Sequence, residues 1–243
     1  MNDAEARARV DLAAVYRLIA MNGWDDLIFT HVTARIPGLN DHLLINPFGV
    51  LFANISASNL VKIDLAGNIV GESRHRISQG GFVLHQTLHL ARPDAHCVLH
   101  THTEAGIAVS AQADGLLPIS QHALYPLGSI AYHAYGGLVM DQAERATLTR
   151  EAATAHHLVL RNHGLVTLGA TPADAYLLMW DFERACRAQV LAQAGGTALT
   201  RIDAGVAQRM WQADPCTGRA FASDLIWPEL LKKLDRLDSS FRS

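Results

Sequence analysis

Cysteine is scarce in this chain. Three residues, Cys97, Cys186 and Cys216, are scattered, odd in number and without CxxC spacing. That excludes a disulfide framework and fits reduced thiols of a cytosolic protein. Long apolar runs are missing too. None approaches the roughly 18 residues needed to cross a bilayer, which argues against a membrane protein. There is no basic block, and the formal net charge is −3, which argues against a dedicated nucleic-acid binder. The opening stretch, MNDAEARARVDLAAVYRLIA, reads as a charged amphipathic helix rather than a signal peptide. Repeats, low-complexity tracts and linkers are absent. With 243 residues, 49% of them hydrophobic, the chain is expected to bury a substantial core as a single domain over 1–243.

What is abundant is histidine, with 13 residues. Their placement on the expected elements decides what the number means. Apolar positions Val10, Leu12, Ala13, Val15, Leu18 and Ile19 predict a helix over 4–22, closed by Asn22-Gly23. IFTHVTARIPG alternates as a strand, with Thr30, Val32 and Ala34 on one side and His31, Thr33 and Arg35 on the other. The second set is expected to be solvated or to bind a substrate carboxylate. HLLINPFGVLFANI reads as a strand with a turn at Asn46-Pro47-Phe48-Gly49, and VKIDLAGNIVGES as a hairpin around Gly67. A helix follows from Gly81 to Ala91, then a strand in HCVLHTHT, then a short helix with Thr103 as N-cap. A polar helix is expected over 141–156, a strand–turn–strand in HLVLRNHGLVTLG, and a long helix from Thr171-Pro172 to Gly195-Gly196. Together these suggest an α/β fold with a mixed or mostly antiparallel sheet.

His100 and His102 stand one residue apart in VLHTHT. A strand sends i and i+2 to one face, so both imidazoles can be aimed at one point. Two neutral imidazoles need a third ligand to hold a metal tightly. His163, in the Asn162-His163-Gly164 turn behind an apolar strand, is the candidate. The competing reading is a pair of core histidines bonded to backbone groups.

Leu99-His100-Thr101-His102-Thr103, preceded by Ala91-Arg92-Pro93-Asp94 and followed by Arg161-Asn162-His163-Gly164, resembles the class II aldolase/adducin family over roughly residues 8–200. The resemblance implies a three-layer α/β/α fold with a central, mostly antiparallel sheet. It implies a homotetramer with active sites at subunit interfaces, which, with the cysteine pattern, gives an expected cytoplasmic homotetramer. It also implies one divalent metal per subunit (Mn, Zn, Fe or Co) held by His100, His102 and His163. A C-terminal extension from about residue 200 is expected to pack on a neighbouring subunit, with Trp227, Phe241 or Arg242 as residues that could reach its site.

The chain departs from the sugar-phosphate aldolases of that family. Their acid/base glutamate lies 19 residues before the first metal histidine, and here that position is Gly81, with no Asp or Glu between Arg74 and Arg92. Their phosphate-holding residues are replaced by Gln79-Gly80 and by Thr30-His31-Val32-Thr33. NPFGVLF, GGFVLH, LPISQHAL and IAYHAYGG resemble the adducin branch, whose cytoskeletal members lack the metal histidines. Aldol condensation removes a proton from carbon and needs a base there. Decarboxylation forms the same carbanion without that step and needs an electron sink, which a metal supplies. The expected function is therefore a metal-dependent lyase, a decarboxylase of a small hydroxy- or oxo-carboxylate such as a hydroxylated aromatic or heteroaromatic dicarboxylate. The alternatives are an aldolase using a histidine, a mononuclear iron oxygenase and a non-catalytic adducin-like interaction domain.

Candidates for the missing proton transfer are His122, His133 and Tyr132, with loop residues as the competing reading for the histidines. Candidates for substrate binding are His31, Arg35, Asn46, Gln79, Gly80, Gly81 and Gln121, although Asn46 is equally explained by its turn. His85 and His89 read as packing residues on their helix, and His156-His157 as surface residues.

Overall fold

The computed structural model describes residues 2–137, 140–213 and 218–243; Cys216 lies outside them. In chain order the elements are α1 (Asp3–Met21), β1 (Val32–Ile36), β2 (Leu39–Ile45), β3 (Val61–Asp64), α2 (Gln79–Ala91), β4 (Cys97–Thr101), α3 (Glu104–Ser110), α4 (Gln121–Leu127), β5 (Ile130–His133), α5 (Gln142–Glu151), β6 (His157–Leu160), β7 (Gly164–Gly169), α6 (Pro172–Ala194), α7 (Ala204–Ala213) and α8 (Gly218–Leu237). The strands form one sheet in the order β3-β2-β1-β4-β7-β6-β5. Every neighbouring pair is antiparallel except β5–β6. Among the described residues, no helix is long and apolar enough to cross a membrane.

The period of two along β4 makes the layers. Cys97 and Leu99 pack with Leu12, Val15 and Ile19 of α1 and with Tyr176, Met179 and Phe182 of α6. Val98 points the other way, into a cluster with Leu84 and Leu88 of α2 and Leu148 of α5. The sheet is thus sandwiched between helices, as expected for a three-layer α/β/α fold. Side-chain caps set where the helices begin. Asn2, Ser78, Thr103, Ser120, Asp141 and Thr171 each accept a backbone N–H of the first turn. At the other end of α1, Gly23 takes φ +65°, a conformation that costs glycine little.

Three expectations are corrected. The alternation through IFTHVTARIPG holds only from Val32, because Leu27 and Thr30 have positive φ (52° and 63°) and bend the chain before β1. The face carrying His31 and Thr33 is not solvated: both are buried beneath α2. The polar helix ends at Glu151, and the chain turns to bring His157 into β6. His157 is consequently fully buried, with Nδ1 2.9 Å from Ser129 Oγ and its ring edge-on to Phe182, while His156 is half-buried.

The C-terminal segment engages its own chain. Trp227 donates to Asp11 Oδ1 at 3.0 Å, and the buried Phe241 accepts the Ala57 N–H through its carbonyl. Arg17 donates to Asp238 and Ser240, and Arg242 pairs with Asp235. α4, β5, α7 and the full extent of α8 are elements beyond those expected from the sequence.

Candidate metal centre and its pocket

His100 lies on the α2–α5 side of β4, two residues beyond Val98, and His102 follows just past the strand end. His163 comes from the β6–β7 turn, where Asn162 takes φ +57°. β7 runs antiparallel to β4, with Thr101 opposite Leu165, so the turn is delivered beside the end of β4. Gly164 is required at that crossing, because a Cβ there would run into the Thr101 carbonyl oxygen.

The three imidazoles converge, with ligand atoms all within 4.8 Å of one another. His100 Nδ1 sits 2.9 Å from the Leu165 carbonyl. That oxygen can only accept, so Nδ1 carries the proton and Nε2 keeps its lone pair. Nε2 of His100 is buried with no hydrogen-bond partner. By the same reasoning His102 donates from Nδ1 to Asp26 Oδ2 at 3.0 Å. Its Nε2 lies 2.9 Å from His163 Nε2, a spacing that calls for a proton or a cation between the two. Burial holds His100 well below the ordinary imidazole range and brings His163 down to about 4, with the neighbouring rings adding to both shifts. Converging ring nitrogens, the outer nitrogens of His100 and His102 fixed by a carbonyl and a carboxylate, and an otherwise orphaned buried lone pair on His100 are what a divalent cation requires of a three-histidine site. The cluster fits such an ion.

The opposite face of the same strand end is held from α6. Thr101 donates to Glu183 Oε1 at 2.9 Å, and the Thr103 hydroxyl lies 2.8 and 2.7 Å from its two carboxyl oxygens. Thr103 also caps α3. In His-Thr-His-Thr the histidines therefore face the centre while the threonines anchor the strand to a buried acid. Burial pushes Glu183 up to about 7.

The centre opens into a cavity of about 450 Å³. One wall is apolar and aromatic, including Phe29, Phe48, Leu84, Ile107, Tyr135 and Met140. The rest includes Thr30, His31, Gly80, Gly81, His133 and Glu144. Residues 10–190 match the family described as Class II Aldolase and Adducin N-terminal domain. The chain belongs to the class II aldolase and adducin family. It is similar to the crystal structure of an aldolase II superfamily protein from Pseudomonas syringae, with 42% identity, a TM-score of 0.96, and 100% of this chain and 98% of that one covered. It is similar to an L-fuculose 1-phosphate aldolase from Glaciozyma antarctica, with 25% identity, a TM-score of 0.86, and 98% and 93% covered. Rat alpha-adducin is 45% identical over 197 residues, which are 79% of this chain and 27% of the adducin.

Within this class II aldolase and adducin fold, the expected site residues separate into two groups. His31, Gly80, Gly81 and His133 line the cavity with the three metal-ligand candidates. The others do not. Arg35 lies under α2 and donates to the His89 carbonyl. Asn46 is buried and accepts from the Tyr16 hydroxyl at 2.9 Å, so its side chain is committed to α1. Gln79 donates to the Gly67 carbonyl. Gln121 and His122 are exposed on α4. Tyr132 accepts the Leu116 N–H at 3.0 Å, and Arg161 covers its ring. Each is held by other partners or faces away from the cavity.

His85 and His89 pack as expected, Nδ1 of one and Nε2 of the other lying 2.8 and 2.7 Å from the Thr33 hydroxyl. The His85 ring centroid is 4.0 Å from that of His31. Four acids were not singled out from the sequence: Asp26, Glu144, Glu151 and Glu183. Only Glu183 had a usable signal, in the threonines that alternate with the histidines.

Proposed function

We propose that this chain is a divalent-metal-dependent carbon–carbon lyase that decarboxylates a small hydroxy- or oxo-carboxylate, with a hydroxylated aromatic or heteroaromatic acid as the best-fitting class. The carrying observation is what stands beside the three-histidine centre at the start of α2. Gly81 offers no side chain there, and the His31 ring takes the space, its Nε2 donating to the Gly81 carbonyl at 2.8 Å. No carboxylate enters the cavity from α2 among the described residues.

The cavity walls support the substrate class. Arg161 is the one Arg or Lys among the lining residues, and its guanidinium is taken by the Gln112 and Ala113 carbonyls. A phosphate dianion would find no free lysine or arginine there, whereas a carboxylate needs only the metal. Phe29, Phe48, Leu84 and Met140 present apolar surface to a flat, hydrophobic body and exclude water from it.

His100, His102 and His163 would hold the divalent ion, which would supply Lewis acidity for the electron pair that a departing carboxylate leaves behind. Zinc and iron suit three imidazoles, and manganese and cobalt are the other ions the centre would be offered. The exposed apolar side chains at the cavity, Phe29, Phe48, Ile107 and Tyr135, support a site completed at a subunit interface, as in a cytoplasmic homotetramer. The similarity to an L-fuculose 1-phosphate aldolase supports the lyase class.

The test is a panel of hydroxylated aromatic and 2-oxo acids, and sugar phosphates, offered to the protein loaded in turn with each of these metals. Carbon dioxide release with and without oxygen is expected. Aldehyde release from a sugar phosphate with no carbon dioxide from any acid, turnover that requires oxygen, or failure to take up any metal would overturn the reading.

A further inference from the structure

Elsewhere in the cavity lining, a carboxylate and an imidazole stand in contact, with a second carboxylate behind the ring. His133, at the end of β5, is buried. Its Nδ1 lies 2.6 Å from Glu151 Oε2, and its Nε2 lies 3.4 Å from Glu144 Oε1. Both acids come from α5, seven residues apart, so two helical turns separate them on one face. Glu144 and His133 line the cavity. The side chain of Glu151 is 30% exposed and that of Glu144 17%. The contacts therefore run from the cavity through a buried ring to solvent.

Glu144 is also built into place. Asp141 caps the first turn of α5 by accepting the Glu144 N–H at 2.8 Å. Gly136, in the loop after β5, passes over the carboxyl group, and a Cβ there would lie 2.5 Å from it. The other carboxylate lining the cavity among the described residues, Asp26, is committed to His102. Arg145, next to Glu144, turns to Gln86, and among the described ion pairs Glu144 meets His133 alone.

We infer that Glu144 is the catalytic acid that protonates the substrate carbon, and that His133 and Glu151 resupply it with protons from solvent. The inference rests on the lyase reading above. Loss of carbon dioxide leaves an electron pair on carbon. The Glu144 O–H bond breaks and a C–H bond forms, leaving a carboxylate. That carboxylate takes the Nε2 proton of a cationic His133, whose Nδ1–H remains bonded to Glu151. Water at the exposed edge of Glu151 returns one proton to the pair. Each turnover consumes one solvent proton and releases one carbon dioxide.

The test uses the full metal-loaded chain, and variants Glu144→Gln, Glu144→Asp and Glu151→Gln, with two measurements besides metal content. The first is turnover of the best acid from the panel, together with deuterium uptake into the methyl group of pyruvate in D2O, in which the Glu144 carboxylate takes a proton from carbon and returns a deuteron without any carbon–carbon cleavage. Glu144→Gln is expected to lower kcat and deuterium uptake by about 10²- to 10⁴-fold, with KM and metal content kept. Glu144→Asp should recover part of that loss, and Glu151→Gln should lose less than Glu144→Gln. The second is nitrogen-15 NMR of the metal-free chain at a pH where the His133 ring is neutral, which should place its remaining proton on Nδ1 and weaken that preference in Glu151→Gln.

An active wild type with an unimpaired Glu144→Gln variant would overturn the role of Glu144 and leave the lyase reading intact. A metal-loaded wild type with neither carbon–carbon cleavage nor deuterium uptake would overturn both.

Discussion

A Cβ placed on Gly81 would lie 2.6 Å from Cε1 of His31. The two positions share one volume beside the metal centre, so a side chain at 81 and a ring at 31 exclude each other in this packing. The residue that fills the space is an imidazole, which burial lowers to about 4 and keeps neutral. Its Nε2 bond to the Gly81 carbonyl fixes the ring against the start of α2.

That exclusion is measurable as coupling. Gly81→Ala alone is expected to destabilise the fold by about 1–3 kcal/mol through overpacking. In the His31→Ala background the same change should cost much less. A double-mutant cycle by urea denaturation reads the difference. Additive effects of the two substitutions would contradict the shared volume.

Removing metal ligands should act on binding before it acts on folding. The wild type is expected to hold about one divalent ion per chain and His100→Ala, His163→Ala close to none, read by elemental analysis. Asp26→Asn keeps the ligands but weakens the hold on His102, and about a 10- to 100-fold loss of metal affinity is expected. Saturating metal at about 100 times its Kd should stabilise the wild type by about 2.7 kcal/mol. Equal melting of wild type and His100→Ala, His163→Ala with and without metal would rule the site out.

The pH dependence of the metal-free protein carries two opposed contributions. Burial brings His31 and His163 down to about 4 and His89 to about 3, and holds His85 and His100 well below 6.5. These groups stay neutral in the fold but are protonated in the unfolded chain below 6.5. Their contribution is present above pH 6.5 and is lost as pH falls toward 4. Glu183 works the other way. Its carboxyl is raised from 4.5 to about 7, so its contribution is fully present below pH 4.5 and is lost as pH rises through 7. Between these limits, Glu183→Gln should make the acid loss of stability steeper, because it removes only the opposing contribution. Thermal melts of both proteins from pH 4.5 to 7.5 check this. Parallel profiles would mean that Glu183 is not titrating as its burial requires.

Glu183 also holds the strand end. Glu183→Ala leaves the buried Thr101 and Thr103 hydroxyls without their acceptor, at a cost of about 1–3 kcal/mol for each group left unsatisfied. Glu183→Gln, which keeps an acceptor oxygen, is expected to retain more stability and more metal. Denaturant titrations with metal analysis separate the two variants.

Much of this protein is written locally. The alternation in HCVLHTHT, the caps Thr103 and Thr171, and the turn at Asn162-His163-Gly164 are short-range patterns whose physics needs no partner. The sequence by itself therefore determined β4, α3, the β6–β7 hairpin, α6 and the identity of the three converging histidines. The tertiary structure alone decided what surrounds them. Asp26 reaches His102 from 76 residues away, Glu183 reaches Thr103 from 80, and His31 meets Gly81 across 50. Arg35, Asn46 and Tyr132 have the right chemistry for a site, but packing committed their polar groups elsewhere. His133 acquired its two carboxylates only because β5 lies in parallel register beside β6, with α5 folded back along it. A single residue's type states what it can bond; which partner is within 3 Å of it depends on the crossing of elements far apart in the chain.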